Sequence, residues 1–187
     1  MTANPGFLRI TLQQTVQTNW LVQPAPTGDF DIQTHVLFNP IENFELAGLL
    51  LYQDDGTYLA LGRAFCGFGY PGCVNGNGIY FDHLEGGGFI SPNFAMRTPY
   101  EDHAYLRIIH EGVNYTAYAS EDGLDWWLVG RHVMGTKAAL PLMGLATSTS
   151  GQEVAEIYAD FDFFRVGSST PITLRSLLPL LFKLPAP

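Results

Sequence analysis

The segment "EIYADFDFF" carries Glu156, Asp160 and Asp162, the residue types a glycan-cleaving strand would use. Glycosidic hydrolysis needs two carboxyl groups flanking the bond, about 5 Å apart for retention of configuration and further apart for inversion. Here the alternation runs from Asp160 to Asp162 and then to Phe164, so the third acid of a Glu-x-Asp-x-(x)-Glu strand is missing. Asp160 and Asp162 are expected to share a strand face, and Asp29 and Asp31 form a second such pair. Either pair could offer oxygen ligands to a structural calcium ion, and a solvated strand face is the alternative for both. Nucleophilic chemistry has less support: the chain has no Gly-x-Ser-x-Gly elbow, no His-Glu-x-x-His and no Gly-rich phosphate loop opening a helix. The histidines at 35, 83, 103, 110 and 132 show no ligand spacing.

Rings are the stronger signal, because 13% of the chain is aromatic. In "CGFGYPGC" a disulfide between Cys66 and Cys73 is geometrically feasible, since glycine and proline let the intervening loop turn tightly. Two free thiols are the alternative. A bridge would imply an oxidising compartment and would hold Phe68 and Tyr70 rigidly on the loop. Sugars stack their C–H faces on such rings, and Arg63, Asp82 and His83 are the nearby groups expected to bond hydroxyls. Rings folded back onto the domain are the alternative. In "YASEDGLDWW" Asp122-Gly123 reads as a hairpin turn, with the aspartate accepting backbone N–H groups and the glycine taking a positive φ. Adjacent strand residues face opposite ways, so one of Trp126 and Trp127 is expected inside and the other outside. Spacing alone does not decide which; Trp127 is the candidate sugar platform and Trp126 the residue closing the turn.

These residues need elements to hold them, and the pattern along the chain is that of strands. "FDIQTHVLF" puts Phe30, Ile32, Thr34, Val36 and Phe38 on one face and Asp31, Gln33, His35 and Leu37 on the other. "LAGLLLYQ", "DDG" and "TYLALGRAF" read as a hairpin in which Gly56 supplies a positive φ. Two further strands meet at Glu111-Gly112, and roughly nine to twelve strands are expected in all, with no helical period. The fold class is all-β, a two-sheet antiparallel sandwich over 1–167. Residues 168–187 form a linker and an apolar tail punctuated by proline, expected to lie against this domain, a second copy or a neighbouring domain.

Composition limits the partners. The chain of 187 residues is 47% hydrophobic and 14% charged, enough to bury a core. Its net charge of −9, with nine basic residues spread singly, leaves no stripe to neutralise phosphates, so nucleic acid is not expected. No apolar run of ~18 or more residues suggests a membrane span, and the N-terminus lacks a signal-peptide pattern.

The stretches "NFELAGLLLYQDDGTYLALGRA", "AYLRIIHEGVNYTAYASEDGLDWWLVG" and "ADFDFFRV" resemble, in order, the concanavalin-A-like sandwich at the C-terminus of family-43 glycoside hydrolases and related stand-alone secreted bacterial domains. The resemblance runs from about residue 5 to 166. It implies a jelly roll that accompanies carbohydrate-active modules without being the catalytic domain. Ser120-x-Asp122-Gly123-x-x-Trp126 also resembles the Asp-box of sialidase propellers, but it occurs once and its glycine is displaced by one position. The expected function is a non-catalytic, extracellular or cell-surface glycan-binding module. A structural protein self-associating through 172–187 is the first alternative, and a hydrolase with an unrecognised acid pair the second.

Overall fold

The computed structural model describes residues 4–12, 18–69, 72–98, 102–135, 140–149 and 156–168. Thirteen strands run through them: β1 (Leu8–Leu12), β2 (Thr18–Pro24), β3 (Phe30–Leu37), β4 (Leu46–Asp54), β5 (Thr57–Cys66), β6 (Gly76–Glu85), β7 (Gly88–Phe89), β8 (Phe94–Arg97), β9 (His103–Glu111), β10 (Asn114–Ser120), β11 (Trp127–Val133), β12 (Leu142–Ser148) and β13 (Ile157–Gly167). The count exceeds the expected nine to twelve by one, and the short β7 and β8 have too few residues to show an alternation. No helix among the described residues is long and apolar enough to cross a membrane. The apolar tail proposed to mediate self-association, 172–187, lies outside the described residues.

Two antiparallel sheets form a sandwich. One has the order β1-β13-β3-β9-β10-β11; the other runs β2-β12-β4-β5-β6-β7, with β8 also paired to β6. Their inner faces meet where the period-two pattern predicts. Phe30, Ile32, Thr34 and Val36 of β3 are fully buried, opposite Leu49 and Leu51 of β4 and Leu59 and Leu61 of β5. Each such side chain contributes roughly 1.5–3 kcal/mol when removed from water.

Turn chemistry follows the sequence at one hairpin and departs from it at another. Gly123 takes φ 74°, Asp122 Oδ1 accepts the N–H groups of Leu124 and Asp125 at 2.8 and 3.0 Å, and Ser120 Oγ accepts that of Gly123 at 2.9 Å. These bonds to the ionised form hold the Asp122 carboxyl below its usual range. Gly56, by contrast, adopts no positive φ. Its carbonyl accepts the N–H of Gly87 at 2.9 Å, and a Cβ there would sit 3.3 Å from that same nitrogen, so a glycine serves close approach of two turns.

Polar groups are threaded through the core. Arg63, fully buried on β5, donates from Nε to the Phe38 carbonyl at 2.7 Å and from a terminal nitrogen to the His103 carbonyl at 3.2 Å. Both acceptors belong to the other layer, so the guanidinium is a strut between the sheets. His83 of β6 and His132 of β11 are also buried, with ring centroids 5.0 Å apart; His132 Nε2 donates to the Phe81 carbonyl at 3.0 Å. Burial pushes both imidazoles below their ordinary pKa, against a smaller opposing pull on His83 from Glu85 at 3.4 Å. The unfolded chain therefore takes up protons first, so this contribution to stability is full above about pH 6.5 and is lost as pH falls below it. Urea unfolding should show a decline on the order of 1–2 kcal/mol from pH 7 to 5 that a His83→Leu variant flattens. An unchanged slope in the variant would contradict the assignment.

Candidate functional site

The outer face of the seven-stranded sheet carries an apolar cluster separate from the core. Leu46 and Leu50 of β4, Ala60 and Ala64 of β5, Tyr80 of β6 and Ala146 of β12 compose it. Register places them together: Leu50 lies opposite Ala60 and Ala60 opposite Asp82, and every second residue returns to that side. The alanines keep the floor low, and a groove of about 460 Å3 opens above it. That volume falls within the ~300–1,000 Å3 of small-ligand sites.

Rings wall the groove: Trp20 of β2, Tyr58 of β5, Tyr80 of β6, Phe89 of β7, and Phe44 and Phe68 from the loops. The Trp20 indole meets Tyr52 edge-on at 4.8 Å and tilts toward Tyr58 at 6.2 Å, so it is braced from both sides. Phe44 is 55% exposed and held at φ 69°, a conformation that costs a bulky residue energy and needs support. The support is local. The buried Glu45 carboxylate accepts the N–H groups of Ile41 and Glu42 at 2.7 and 3.1 Å, and Asn43 Oδ1 accepts that of Gly67 at 2.5 Å. These bonds fasten the Phe44 turn to the loop that follows β5. That loop is closed by a Cys66–Cys73 disulfide with Cα atoms 5.7 Å apart, and Phe68 on it stands 5.7 Å from Phe44 between ring centroids.

One lining residue is charged. Asp82 is half-buried on the groove floor, and burial pushes its carboxyl up to about 6. It takes part in none of the ion pairs among the described residues.

A model of the β-xylosidase C-terminal concanavalin A-like domain matches residues 1–167. The chain belongs to that domain family. It is therefore a module of a carbohydrate-associated family, and the resemblance drawn from its motifs holds. Among solved structures the domain is similar to the GH43 protein BlXynB from Bacillus licheniformis, with TM-score 0.71 and 18% identity over 89% of this chain and 34% of that one. A xylan β-1,4-xylosidase from Bacillus halodurans C-125 aligns with TM-score 0.67 and 21% identity, over 87% of this chain and 33% of that one. A functionally unknown protein from Saccharomyces cerevisiae aligns at TM-score 0.63 and 17% identity, over 81% and 74% of the two chains. The chain thus spans about a third of the length of the two bacterial enzymes. No curated protein matches it.

The concanavalin A-like domain does not gather the sequence-predicted residues into one place. Phe68 and Asp82 line the groove, and Cys66 and Cys73 close its loop. Tyr70 lies outside the described residues. Arg63 and His83 point into the sandwich, opposite Ile79 and Leu59 in register, so neither faces a ligand in the groove. His83 follows Asp82 directly, and successive strand residues take opposite faces. Trp127 sits on the other sheet: it pairs with the buried Ala119 and lines a small pocket with Ile79, Met96 and Ala104. Trp126 is the one beside the outer face, with the Arg107 guanidinium 5.7 Å from its ring.

The two aspartate pairs offered for calcium each have other partners in the fold. Asp160 is buried, its oxygens bonded by Arg9 Nε and NH2 at 2.6 Å each and by Asn4 Nδ2 at 2.8 Å. The strand bulges between Phe161 and Phe163, and Asp162 stands exposed, 3.5 Å from His35. In the second pair, Asp29 accepts the Gly112 N–H at 2.8 Å while Asp31 is buried against Arg107. Among the described residues no group of three or more His, Cys, Asp or Glu side chains converges as metal ligands.

Trp20, Tyr58, Tyr80 and Phe89 escaped the sequence reading. Period two from Asp82 would have found Tyr80, and the Ala60-Asp82 pairing would have placed Tyr58 on the same face. Trp20 needed the β2–β12 pairing, which joins segments more than a hundred residues apart.

Proposed function

We propose that this domain is a non-catalytic module that binds an oligosaccharide along the groove of the seven-stranded sheet, outside the cytoplasm. The observation that carries the reading is the braced ring pair, Trp20 and Tyr58, over a floor of alanines and the buried Tyr80. Such a surface offers flat, apolar platforms to sugar C–H faces. Among the described lining residues Asp82 is the single carboxylate, whereas glycosidic hydrolysis needs two. The acid nearest to a glycanase pattern, Asp160, is tied to Arg9. The disulfide favours an oxidising compartment. Similarity to enzymes three times its length fits a helper to a separate catalytic unit. The test is a panel of immobilised β-1,4-linked oligosaccharides, xylo-, gluco- and glucosamine-based, probed with the full chain and then assayed for released sugars. Retention by at least one without release is expected; binding to none, or release of sugar, would overturn the proposal.

A further inference from the structure

Asp82 is an expensive residue where it stands. Directly across β5 lies Ala60, which offers no side-chain donor, and the diagonal neighbour is Tyr58. Two residues along β6 is Tyr80; β4 and β12 contribute Leu50 and Ala146 to the same surface, β2 contributes Trp20, and β8 places Ala95 beside Tyr80. Asn93 also lines the groove, and the titratable groups facing Asp82 among the described residues are the phenols Tyr58 and Tyr80, neither of which carries a positive charge. A carboxylate in apolar surroundings without a counter-ion is destabilising unless a partner arrives. A neutral sugar hydroxyl could be bonded as well by Asn or Ser, without that cost. Rings such as Trp20 and Tyr58 add their own attraction for a cation. The chain as a whole, at −9, favours the approach of positive ligands and repels uronic acids.

We propose that the groove selects an amino sugar with a free ammonium group, a β-1,4-linked glucosamine oligomer, with Asp82 as the counter-charge and the Trp20 and Tyr58 rings flanking it. This rests on the reading of the groove as a glycan site and specifies its ligand. Acetylation of the amine removes the charge and with it the selected feature. Because burial raises the Asp82 carboxyl to about 6, the binding-competent ionised form is the minor one at pH 5. Affinity for the ammonium form of the amino sugar should therefore drop about tenfold from pH 7 to pH 5, in proportion to the ionised fraction of Asp82, once the ligand's own protonation is corrected for.

Titration calorimetry on the full chain tests this with the glucosamine tetramer, its fully N-acetylated counterpart, cellotetraose and tetralysine. The expected result at pH 7 is at least tenfold tighter binding of the glucosamine tetramer than of the other three. That preference should vanish in Asp82→Asn and fall at pH 5, with circular dichroism showing the variant folded. Equal binding of the acetylated or neutral tetramer, or a preference that survives Asp82→Asn, would overturn the ammonium selection while leaving a glycan groove in place. Tetralysine binding as tightly would overturn it as unspecific charge attraction. Failure of all three sugars to bind would overturn the ammonium selection, and failure of the xylo-oligosaccharides as well would remove the glycan reading itself.

Discussion

Replacing Asp31 with alanine should destabilise the domain by about 3–5 kcal/mol, the largest loss expected from any single polar change. Asp31 of β3 and Arg107 of β9 meet on the six-stranded sheet with side chains only 5% and 9% exposed. Arg107 Nε lies 3.0 Å from each carboxylate oxygen, and its NH2 bonds Oδ2 as well, a forked pairing that satisfies both groups. Removing the acid takes the counter-ion from a buried guanidinium, and the cost comes from that uncompensated charge more than from the lost attraction. Urea unfolding should show the midpoint falling sharply, while the double replacement Asp31→Leu with Arg107→Met recovers most of the loss. A single-variant loss below about 1 kcal/mol would mean that the pair is solvated in practice.

The second large effect concerns binding. Trp20→Ala and Tyr58→Ala should each weaken retention of the best-bound oligosaccharide by about thirtyfold, the equivalent of ~2 kcal/mol for a central aromatic anchor. The two rings form one braced platform, so the double variant should lose less than the product of the single losses. Trp127→Ala supplies the contrast. That ring belongs to the opposite sheet, against Ile79 and Ala119, so its loss should leave affinity within about twofold while lowering stability. If Trp127→Ala weakened binding and Trp20→Ala did not, the site would lie on the wrong face in this account.

Much of the sandwich was legible because it depends on local periodicity. Phe30, Ile32, Thr34 and Val36 alternate with polar neighbours and are buried as that alternation requires. The Asp122-Gly123 turn was readable for the same reason, since its bonds lie within six residues. The groove was less legible. Its floor joins β12, β4, β5 and β6, and its Trp20 wall comes from β2, so no sequence window contains it. Arg63 looked like a surface donor because charge usually means exposure; its burial depends on carbonyls supplied by Phe38 and His103 from the other layer. Asp160 looked available to a cation until β1 brought Arg9 against it. Phe44 carried no signal, since a positive φ at a phenylalanine is visible only in the folded backbone.

The central claim is that the seven-stranded sheet presents the ligand surface. Backbone amide chemical-shift mapping of the isotope-labelled chain, titrated with the glucosamine tetramer, tests it most directly. The account predicts perturbations concentrated on β2, β12, β4, β5 and β6 around Trp20, Tyr58, Tyr80 and Asp82, with β9, β10 and β11 unmoved. Shifts confined to β9, β10 and β11 around Trp126 and Arg107 would contradict it.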